Sequence, residues 1–411
     1  MSTIARPVSI DRSASVTAPR VVSIDIFRGL TMAAMIFVNQ LSGVPGLPWW
    51  TYHAPAQVDV MTYVDMVFPF FLFIVGMSLP LSVAQRLKKN PSMTALWIHV
   101  LLRFGSLVTL GLILANAEKA DSARMIISGN AWALLALISA ALYLNVYPRS
   151  VRFPMYYRFL RITGFFGVVV LFALFRRATA DGGSAWIDFS YPEILGLIAF
   201  SYLAVAIVYI PTRRWNWAAP LWFTAFVALN ALSAAILIGW PVHLSLYLWP
   251  FSNGSMVCII MAGVITCGIF LGVNGRPAVS RPIVLAVGFG FVVLAAGRLL
   301  TPLGISKIRA TPTWSLYSIG AAVLMFSLLY WICDVKRRTG WAFFVRAAGS
   351  NTLLTYLLPD VWYFASACVG FTLMDAYFKT GWPAVVKTFA FTFVILAIAT
   401  ALTRLRVRLQ L

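Results

Sequence analysis

A series of long apolar runs limits what this chain can fold into more than any other feature of the sequence. Twelve such runs are each about 20 residues long, the length that a helix needs to cross a bilayer. Hydrophobic residues make up 61% of the 411 positions and charged residues 11%, and the mean hydropathy of +0.86 excludes an ordinary soluble domain. Because lipid leaves no partner for unpaired backbone groups, we predict an all-α polytopic membrane protein.

The predicted membrane spans follow one another along most of the chain, with boundaries fixed to within several residues. They are 22–42, 63–84, 95–115, 125–146, 158–175, 191–210, 217–239, 254–273, 281–301, 313–333, 349–370 and 383–403. Residues 1–20 are rich in Ser and Arg and lack an apolar core, so we expect a solvated cytoplasmic tail and not a cleaved signal peptide. Residues 21–411 then form a single transmembrane domain.

The distribution of Lys and Arg predicts the orientation of these spans. With the N-terminus in the cytoplasm, the cytoplasmic segments carry about three times as many basic residues as the outer loops, as the positive-inside rule requires. Twelve spans then place both termini inside. The formal charge of +20 is explained by topology and by contact with anionic lipids, and no nucleic-acid partner is expected.

Polar residues occur at unusual depths in the first two spans and the loop between them. Asp25 and Arg28 lie at the start of the first span, Asn39 near its end, His53 in the loop, and Asp65 at the start of the second span. The orientation places the last three at the outer face. Charged residues are costly in a membrane and are usually retained for a function.

His53 is the candidate general base of this region. A lone histidine in a loop rich in Trp and Tyr is more often an interfacial residue than a catalyst. The flanking Asn39 and Asp65 favour catalysis, since a carboxylate orients an imidazole and an amide polarises a carbonyl. Asp59 is a rival carboxylate, and spacing does not choose between Asp59 and Asp65.

Basic residues near the cytoplasmic ends of the spans are candidate anion contacts. Asp25 and Arg28 share a helix face and can form a structural pair, but Arg28 also suits a phosphate. Arg103 lies one turn beyond His99 on the third span and adds a second guanidinium, although both side chains can also serve as packing groups. Asp360 lies inside a predicted span and faces either a cavity or a buried partner, with Arg298 as the candidate partner.

The remaining reactive side chains do not form a recognisable site. Cys258, Cys267, Cys333 and Cys368 fall in apolar runs without a CxxC motif, and three scattered histidines do not make a metal cluster, so no metal is expected. His243, in another outer loop, is expected to be solvated.

Three stretches of the sequence resemble the heparan-alpha-glucosaminide N-acetyltransferase family of transmembrane acyltransferases and its bacterial relatives. The first is SIDIFRGLTMAAMIFVN, followed by HA and then VDMVFPFFLFIVGMS. The other two are ISKIRATPTWSLYSIGAAVLMFSLLYWICD, which contains Lys307 and resembles a K-x-x-x-TPS-like helix, and AAGSNTLLTYLLPD. The resemblance thus reaches both ends of the chain and implies a core of ten helices, so that two of the spans in 158–239 are an insertion.

The resemblance also implies an activity. Family members move an acetyl group from cytoplasmic acetyl-CoA to an amine or hydroxyl of a sugar across the membrane, here the bacterial inner membrane. It places the active-site histidine at His53, its neighbouring asparagine at Asn39 and the aspartate of the second span at Asp65. Asn351 takes the matching place in the Gly-Ser-Asn segment, where donor binding is expected, and Lys307 and Asp360 are substrate or structural polar groups. A homodimer stays open.

The sequence departs from the family in one segment, and a different class of protein stays open. ARMIISGNAWALLALIS replaces the R-x-P-G-V-L-Q-R-like entry to a helix, so the acceptor cannot be transferred from the family. A secondary transporter of the major facilitator type also has twelve spans with both termini inside. The 85–94 loop lacks that family's G-x-x-x-D-x-x-G-R-[KR] motif, and the two halves of the chain show no resemblance to each other.

Overall fold

A computed structural model describes residues 21–147, 154–179, 181–235, 253–275, 277–371 and 378–409. The predicted tail 1–20 and His243 lie outside these residues. The described part of the chain is predominantly helical, as predicted. Its only regular strands are β1 (Arg177–Ala178) and β2 (Ser184–Ala185), an antiparallel pair in one loop with Arg177 opposite Ala185.

Thirteen α-helices lie in the described ranges. They are α1 (Val22–Leu41), α2 (Val64–Lys89), α3 (Met93–Ala117), α4 (Gly129–Leu144), α5 (Pro154–Leu174), α6 (Glu193–Thr212), α7 (Ala218–Ala234), α8 (Ser255–Leu271), α9 (Pro282–Leu299), α10 (Pro312–Tyr330), α11 (Phe343–Ser350), α12 (Thr352–Cys368) and α13 (Gly381–Arg404). Short 3₁₀ turns occur at Trp49–Thr51, Thr301–Leu303 and Gly340–Ala342, and a π turn at Trp331–Val335 extends α10.

Every predicted span overlaps one of these helices, and α11 is additional. Within the described residues, eight helices are long and apolar enough to cross a membrane, and α4, α7 and α8 are shorter apolar helices. The protein is therefore a multi-pass membrane protein. The eleventh predicted span, 349–370, is shorter than expected because the chain breaks at Asn351 and α12 begins at Thr352. The number of helices that cross and the side on which each terminus lies remain predictions.

The core lies between α1, α2, α8 and α10. One phenylalanine from each of these four helices contributes to an aromatic cluster. The Phe27 ring of α1 lies 6.3 Å from the Phe73 ring of α2 and 6.1 Å from the Phe326 ring of α10. The Phe326 ring in turn lies 5.1 Å from the Phe270 ring of α8. α8 is buried along most of its length, whereas only Gly164 and Leu171 of α5 are buried. α8 is thus a central helix, and α5 presents its apolar side chains outward, as a lipid-facing helix does.

Glycines bring two helix pairs close together. A Cβ on Gly76 of α2 would lie 1.9 Å from the Ile260 carbonyl oxygen of α8, and a Cβ on Gly349 of α11 would lie 1.9 Å from the Asp25 carbonyl oxygen of α1. Small residues allow such approach of helix backbones in membranes. These contacts fix α1 and α2, the two helices that flank the His53 loop.

Candidate active site

His53 and Asp65 form a hydrogen-bonded pair at the start of α2. The imidazole Nδ1 lies 2.7 Å from Asp65 Oδ1, and the exposed fractions of the two side chains are 39% and 1%. A buried carboxylate accepts hydrogen bonds, so Nδ1 carries the proton and Nε2 keeps its lone pair. The structure thus selects Asp65 over Asp59 as the partner of His53.

The chain around Asp65 holds this carboxylate in one orientation. Its second oxygen, Oδ2, accepts hydrogen bonds from the backbone N–H of Thr62 at 3.0 Å and from the backbone N–H of Ala54 at 3.3 Å. The Thr62 hydroxyl lies 3.3 Å from Oδ2 and donates its proton to the nearer Tyr52 carbonyl at 2.8 Å. Trp314 of α10 donates its indole N–H to the Asp65 carbonyl at 3.1 Å. Asp65 also lies in the first turn of α2, where the helix dipole favours a negative charge. The pair is therefore fixed before any substrate arrives.

A third ionisable side chain, Lys307, lies beside this pair. Its Nζ lies 3.3 Å from Nδ1 and 3.4 Å from Nε2 of His53. It is half-buried in the loop between α9 and α10, and burial lowers the pKa of its ammonium, with the Asp65 carboxylate acting in the opposite direction. Sequence reasoning named Lys307 from the resemblance alone, because 254 residues separate it from His53.

Asp59 is paired with Arg309 and not with His53. Its carboxylate forms an ion pair with the Arg309 guanidinium and accepts a hydrogen bond from the backbone N–H of Ile305 at 3.1 Å. Hydrogen bonding to Arg309 lowers the pKa of Asp59. The rival carboxylate of the sequence is thus an anchor for the loop that carries Lys307.

Asn39 lines a cavity of about 580 Å³ at the C-terminal end of α1, here named the Asn39 cavity. The polar lining comes from α1, α6 and α12, from the segment that follows α3 and from the loop before α6; it consists of Asn39, Gln40, Glu118, Lys119, Tyr191, Glu193, Tyr356, Asp360 and Tyr363. Asn39 is exposed to this space, and among the described residues no hydrogen bond joins its amide to His53. The structure therefore brings Asp65 to His53 but gives Asn39 a separate place, in the wall of the Asn39 cavity.

A second cavity of about 230 Å³, the Arg103 cavity, lies toward the N-terminal end of α1. Arg28 and Arg103 both line it. Arg28 pairs with Asp25 at 3.5 Å and donates to the Ser78 hydroxyl at 2.8 Å, while the Arg103 guanidinium lies 4.7 Å from the centre of the Tyr202 ring. The buried Nε of Arg103 has no hydrogen-bond partner in the described part of the chain. Two guanidinium groups in one cavity fit the predicted anion contact.

Tyr356 of α12 lines both cavities and was missed by the sequence reasoning. Its hydroxyl lies 3.3 Å from both carboxylate oxygens of Glu193, the first residue of α6. Glu193 has a φ of +57°, a conformation that is costly for a residue with a side chain and that occurs mostly at functional sites. A glutamate at the edge of a predicted span was the available signal, but nothing in the sequence placed it opposite Tyr356.

Asn351 directly precedes α12, the helix that carries Tyr356 and Asp360. The Asn351 amide donates to the Thr403 hydroxyl at 3.0 Å and to the Val407 carbonyl at 2.9 Å, and its oxygen accepts from the Leu409 N–H at 3.2 Å. Asn351 thus holds the C-terminal segment, whose Leu409 lines the Arg103 cavity.

Asp360 lines the Asn39 cavity, directly after Pro359 within α12. Among the described residues it forms no ion pair with Arg298, which was the alternative from the sequence. The cavity-facing position is therefore the one that the structure supports. No group of three His, Cys, Asp or Glu side chains that fits a metal occurs in the described ranges.

One segment of the chain, residues 20–120, is similar to known proteins. Residues 20–120 match the family described as heparan-alpha-glucosaminide N-acetyltransferase, catalytic. A heparan-alpha-glucosaminide N-acetyltransferase from Homo sapiens is 35% identical over 102 residues, which cover 25% of this chain and 15% of that protein. The Mus musculus protein of the same name is 34% identical over 100 residues, covering 24% and 14%. The matched segment is thus a small part of these relatives' length. It includes His53 and Asp65, but Lys307 and Asn351 lie outside it.

Proposed function

We propose, from the match of residues 20–120 to the heparan-alpha-glucosaminide N-acetyltransferase catalytic family, that this protein is a membrane acyltransferase. It moves an acetyl group from acetyl-CoA in the cytoplasm to an amine or hydroxyl of a sugar or glycan outside a bacterial inner membrane. The observation that carries the proposal is the His53–Asp65 pair, which lies inside the matched segment and has the geometry of a general base with its orienting carboxylate.

The two cavities support a donor that enters from one end of the bundle. Arg28 and Arg103 offer guanidinium groups for the phosphates of CoA, which arginine binds in bidentate geometry. Asn351 contributes by holding Leu409 in the wall of this cavity. Tyr356 is common to both cavities, so a thin pantetheine arm that passes it carries the thioester from the Arg103 cavity into the Asn39 cavity.

The acyl transfer needs one base and one carbonyl-polarising group. His53 Nε2 takes the proton of the acceptor amine or hydroxyl as that group attacks the thioester carbon, and Asp65 stabilises the imidazolium that results. The bond from carbon to sulfur then breaks, and the proton passes to the CoA thiolate. Asn39 polarises the thioester carbonyl, which requires the His53 loop and the end of α1 to approach each other when substrates bind. Asp360 and Asp25 act as polar groups of the acceptor cavity and of the Arg28 pair, respectively.

A secondary transporter is the second candidate. Alternating access also requires cavities that open toward the two ends of the bundle, and the two cavities here share the Tyr356 side chain. Glu193 and Asp360 are carboxylates suited to binding coupling ions. The two functions differ in whether acetyl-CoA is consumed.

The test uses the purified full chain in nanodiscs with radiolabelled acetyl-CoA and a panel of amino sugars and neutral sugars. We expect acetyl-CoA binding and CoA release, with release lost in His53→Ala and His53→Gln while binding is retained. The matched control is His99→Gln, which changes a histidine at the other end of the bundle. A well-folded wild type that binds no acetyl-CoA contradicts the acyltransferase and favours the transporter.

A further inference from the structure

Two distances define how the Lys307 ammonium meets the His53 ring. Nζ is almost equally far from Nδ1, at 3.3 Å, and from Nε2, at 3.4 Å. An atom in the ring plane at equal distances of this size would overlap the carbon between the two nitrogens. Nζ therefore lies off the ring plane, above one face of the imidazole. In this position it does not use the in-plane lone pair of Nε2, which remains available to take a proton.

The ammonium has donors left for a further ligand. Lys307 carries three N–H donors, and in the described part of the chain the polar atoms within hydrogen-bond distance of its Nζ are the two ring nitrogens of His53, which it meets from above the ring and not along a lone pair. A half-buried ammonium whose donors are not used by the protein is suited to an anion that appears transiently beside Nε2. Acyl transfer to an acceptor bound at Nε2 produces such an anion, the oxygen of the tetrahedral intermediate.

The loop that carries Lys307 is built to hold this position. Asp59 binds both the Ile305 N–H and the Arg309 guanidinium, one on each side of Lys307 in the sequence. Gly304 has a φ of +87°, and a Cβ there would come within 2.7 Å of Asp59 Oδ1, so glycine allows the loop to approach that carboxylate.

The same loop is braced against the helix that follows it. The Ser306 N–H donates to the Thr311 hydroxyl at 3.0 Å, and the Thr311 N–H donates to the Ser306 carbonyl at 3.1 Å. Asn230 of α7 donates to the carbonyl of Ala310 at 2.9 Å. Lys307 is thus supported from α7, α10 and the His53 loop, which is more support than a solvated surface lysine has.

We propose that Lys307 is a catalytic residue of the His53 site, where its ammonium binds the oxyanion that forms as the acceptor attacks the acyl-CoA thioester. Asp59 and Arg309 are positioning residues that act through Lys307. The proposal rests on the proposed acyltransferase function.

The charge of the site explains why an ammonium is useful here. Before reaction, Lys307, neutral His53 and Asp65 together carry no net charge. In the intermediate the new carbon–acceptor bond turns the carbonyl oxygen into an oxyanion while Nε2 gains the acceptor proton, so the two new charges cancel. Lys307 and the oxyanion then pair, as do the imidazolium and Asp65. When the carbon–sulfur bond breaks, the carbonyl re-forms, the CoA thiolate takes the proton, and the starting charges return.

The experiment compares Lys307→Met and Lys307→Arg with wild type in nanodiscs, measuring acetyl-CoA binding, kcat and KM. We expect kcat in Lys307→Met to fall about 100-fold or more, the effect of removing an oxyanion donor, with acetyl-CoA binding unchanged. Lys307→Arg retains a charged donor and recovers part of kcat. Lys379→Met, at an exposed lysine before α13, is the matched control and keeps wild-type kcat.

A second variant separates positioning from folding. Asp59→Asn removes the charge of the anchor but keeps the Lys307 side chain. We expect kcat to fall by less than in Lys307→Met, with KM unchanged. The double variant Asp59→Asn/Lys307→Met then has the kcat of Lys307→Met alone. If wild type turns over acetyl-CoA and folded Lys307→Met stays within threefold of it, the role of Lys307 is refuted. If wild type shows no turnover, the proposed function itself fails.

Discussion

Asp65→Asn tests the geometry of the candidate base because it changes the charge of one side chain with almost no change in shape. In the wild type, Oδ2 accepts from two backbone N–H groups, and Oδ1 accepts from His53 Nδ1. The amide of the variant has only one oxygen, and the backbone N–H donors of Thr62 and Ala54 both require it. Its NH₂ group must therefore face Nδ1 as a donor.

This reversal changes the tautomer of His53. Nδ1 becomes an acceptor, the proton moves to Nε2, and the lone pair that takes the acceptor proton is lost. In serine proteases the equivalent aspartate-to-asparagine change lowers kcat by about 10⁴, which corresponds to about 5.5 kcal/mol of transition-state free energy. We expect kcat in Asp65→Asn to fall by about 10³ to 10⁴, with acetyl-CoA binding at the Arg103 cavity intact.

The assay is CoA release under saturating acetyl-CoA, with the melting temperature of each variant measured in parallel. Thr62→Val is the informative companion, since it removes the hydroxyl that lies beside Oδ2 and donates to the Tyr52 carbonyl but leaves the backbone donors and the tautomer unchanged. Its kcat is expected to fall by no more than about tenfold. A folded Asp65→Asn protein with kcat within tenfold of wild type refutes the reasoning.

Three further predictions concern the framework of the site. Gly76→Ala places a Cβ 1.9 Å from the Ile260 carbonyl oxygen and should destabilise the α2–α8 contact by about 1–3 kcal/mol or more. The melting temperature in detergent should then fall. An unchanged melting temperature contradicts the close approach of the two helices. Asn351→Ala removes three hydrogen bonds and should lower the free energy of unfolding by about 2–4 kcal/mol. It should also raise KM for acetyl-CoA, because Leu409 is then held less firmly. An unchanged KM would mean that Asn351 has no part in donor binding. The pKa of the Asp59 carboxyl is lowered in the folded protein. The charged Asp59 anchor is therefore present above the ordinary carboxyl pKa of about 3.9 and is lost as the pH falls through the lowered pKa. Hydrogen exchange of residues 304–309 in the wild type should then match the exchange of the same residues in Asp59→Asn only at low pH.

The helical membrane class and the pairing of His53 with a carboxylate were accessible from the sequence because both depend on local patterns. Apolar runs of fixed length predict spans, and the matched N-terminal segment carries Asn39, His53 and Asp65 together. The family resemblance is confirmed for residues 20–120. For the stretches around Lys307 and Asn351 it remains a prediction.

The rest of the site depends on contacts between distant parts of the chain. Lys307 reaches His53 across 254 positions, and Tyr356 reaches Glu193 across 163. No periodicity in the sequence specifies either contact, because each depends on how helices pack at glycine crossings and how loops are anchored. The break at Asn351 had a local signal that the prediction did not use, because Gly349, Ser350 and Thr352 interrupt the apolar runs there and the predicted span began inside this stretch. The hydrogen bonds from Asn351 to the C-terminal segment show the break directly.

The most direct test of the central claim is vectorial transfer in proteoliposomes. The protein is reconstituted with an amino sugar trapped inside and radiolabelled acetyl-CoA added only outside, and the trapped sugar is analysed for label. Transfer through the bundle predicts labelled N-acetyl sugar inside, formed by wild type and absent with His53→Ala. A wild type that binds acetyl-CoA on the outside but leaves every trapped acceptor in the panel unlabelled contradicts transmembrane acetyl transfer.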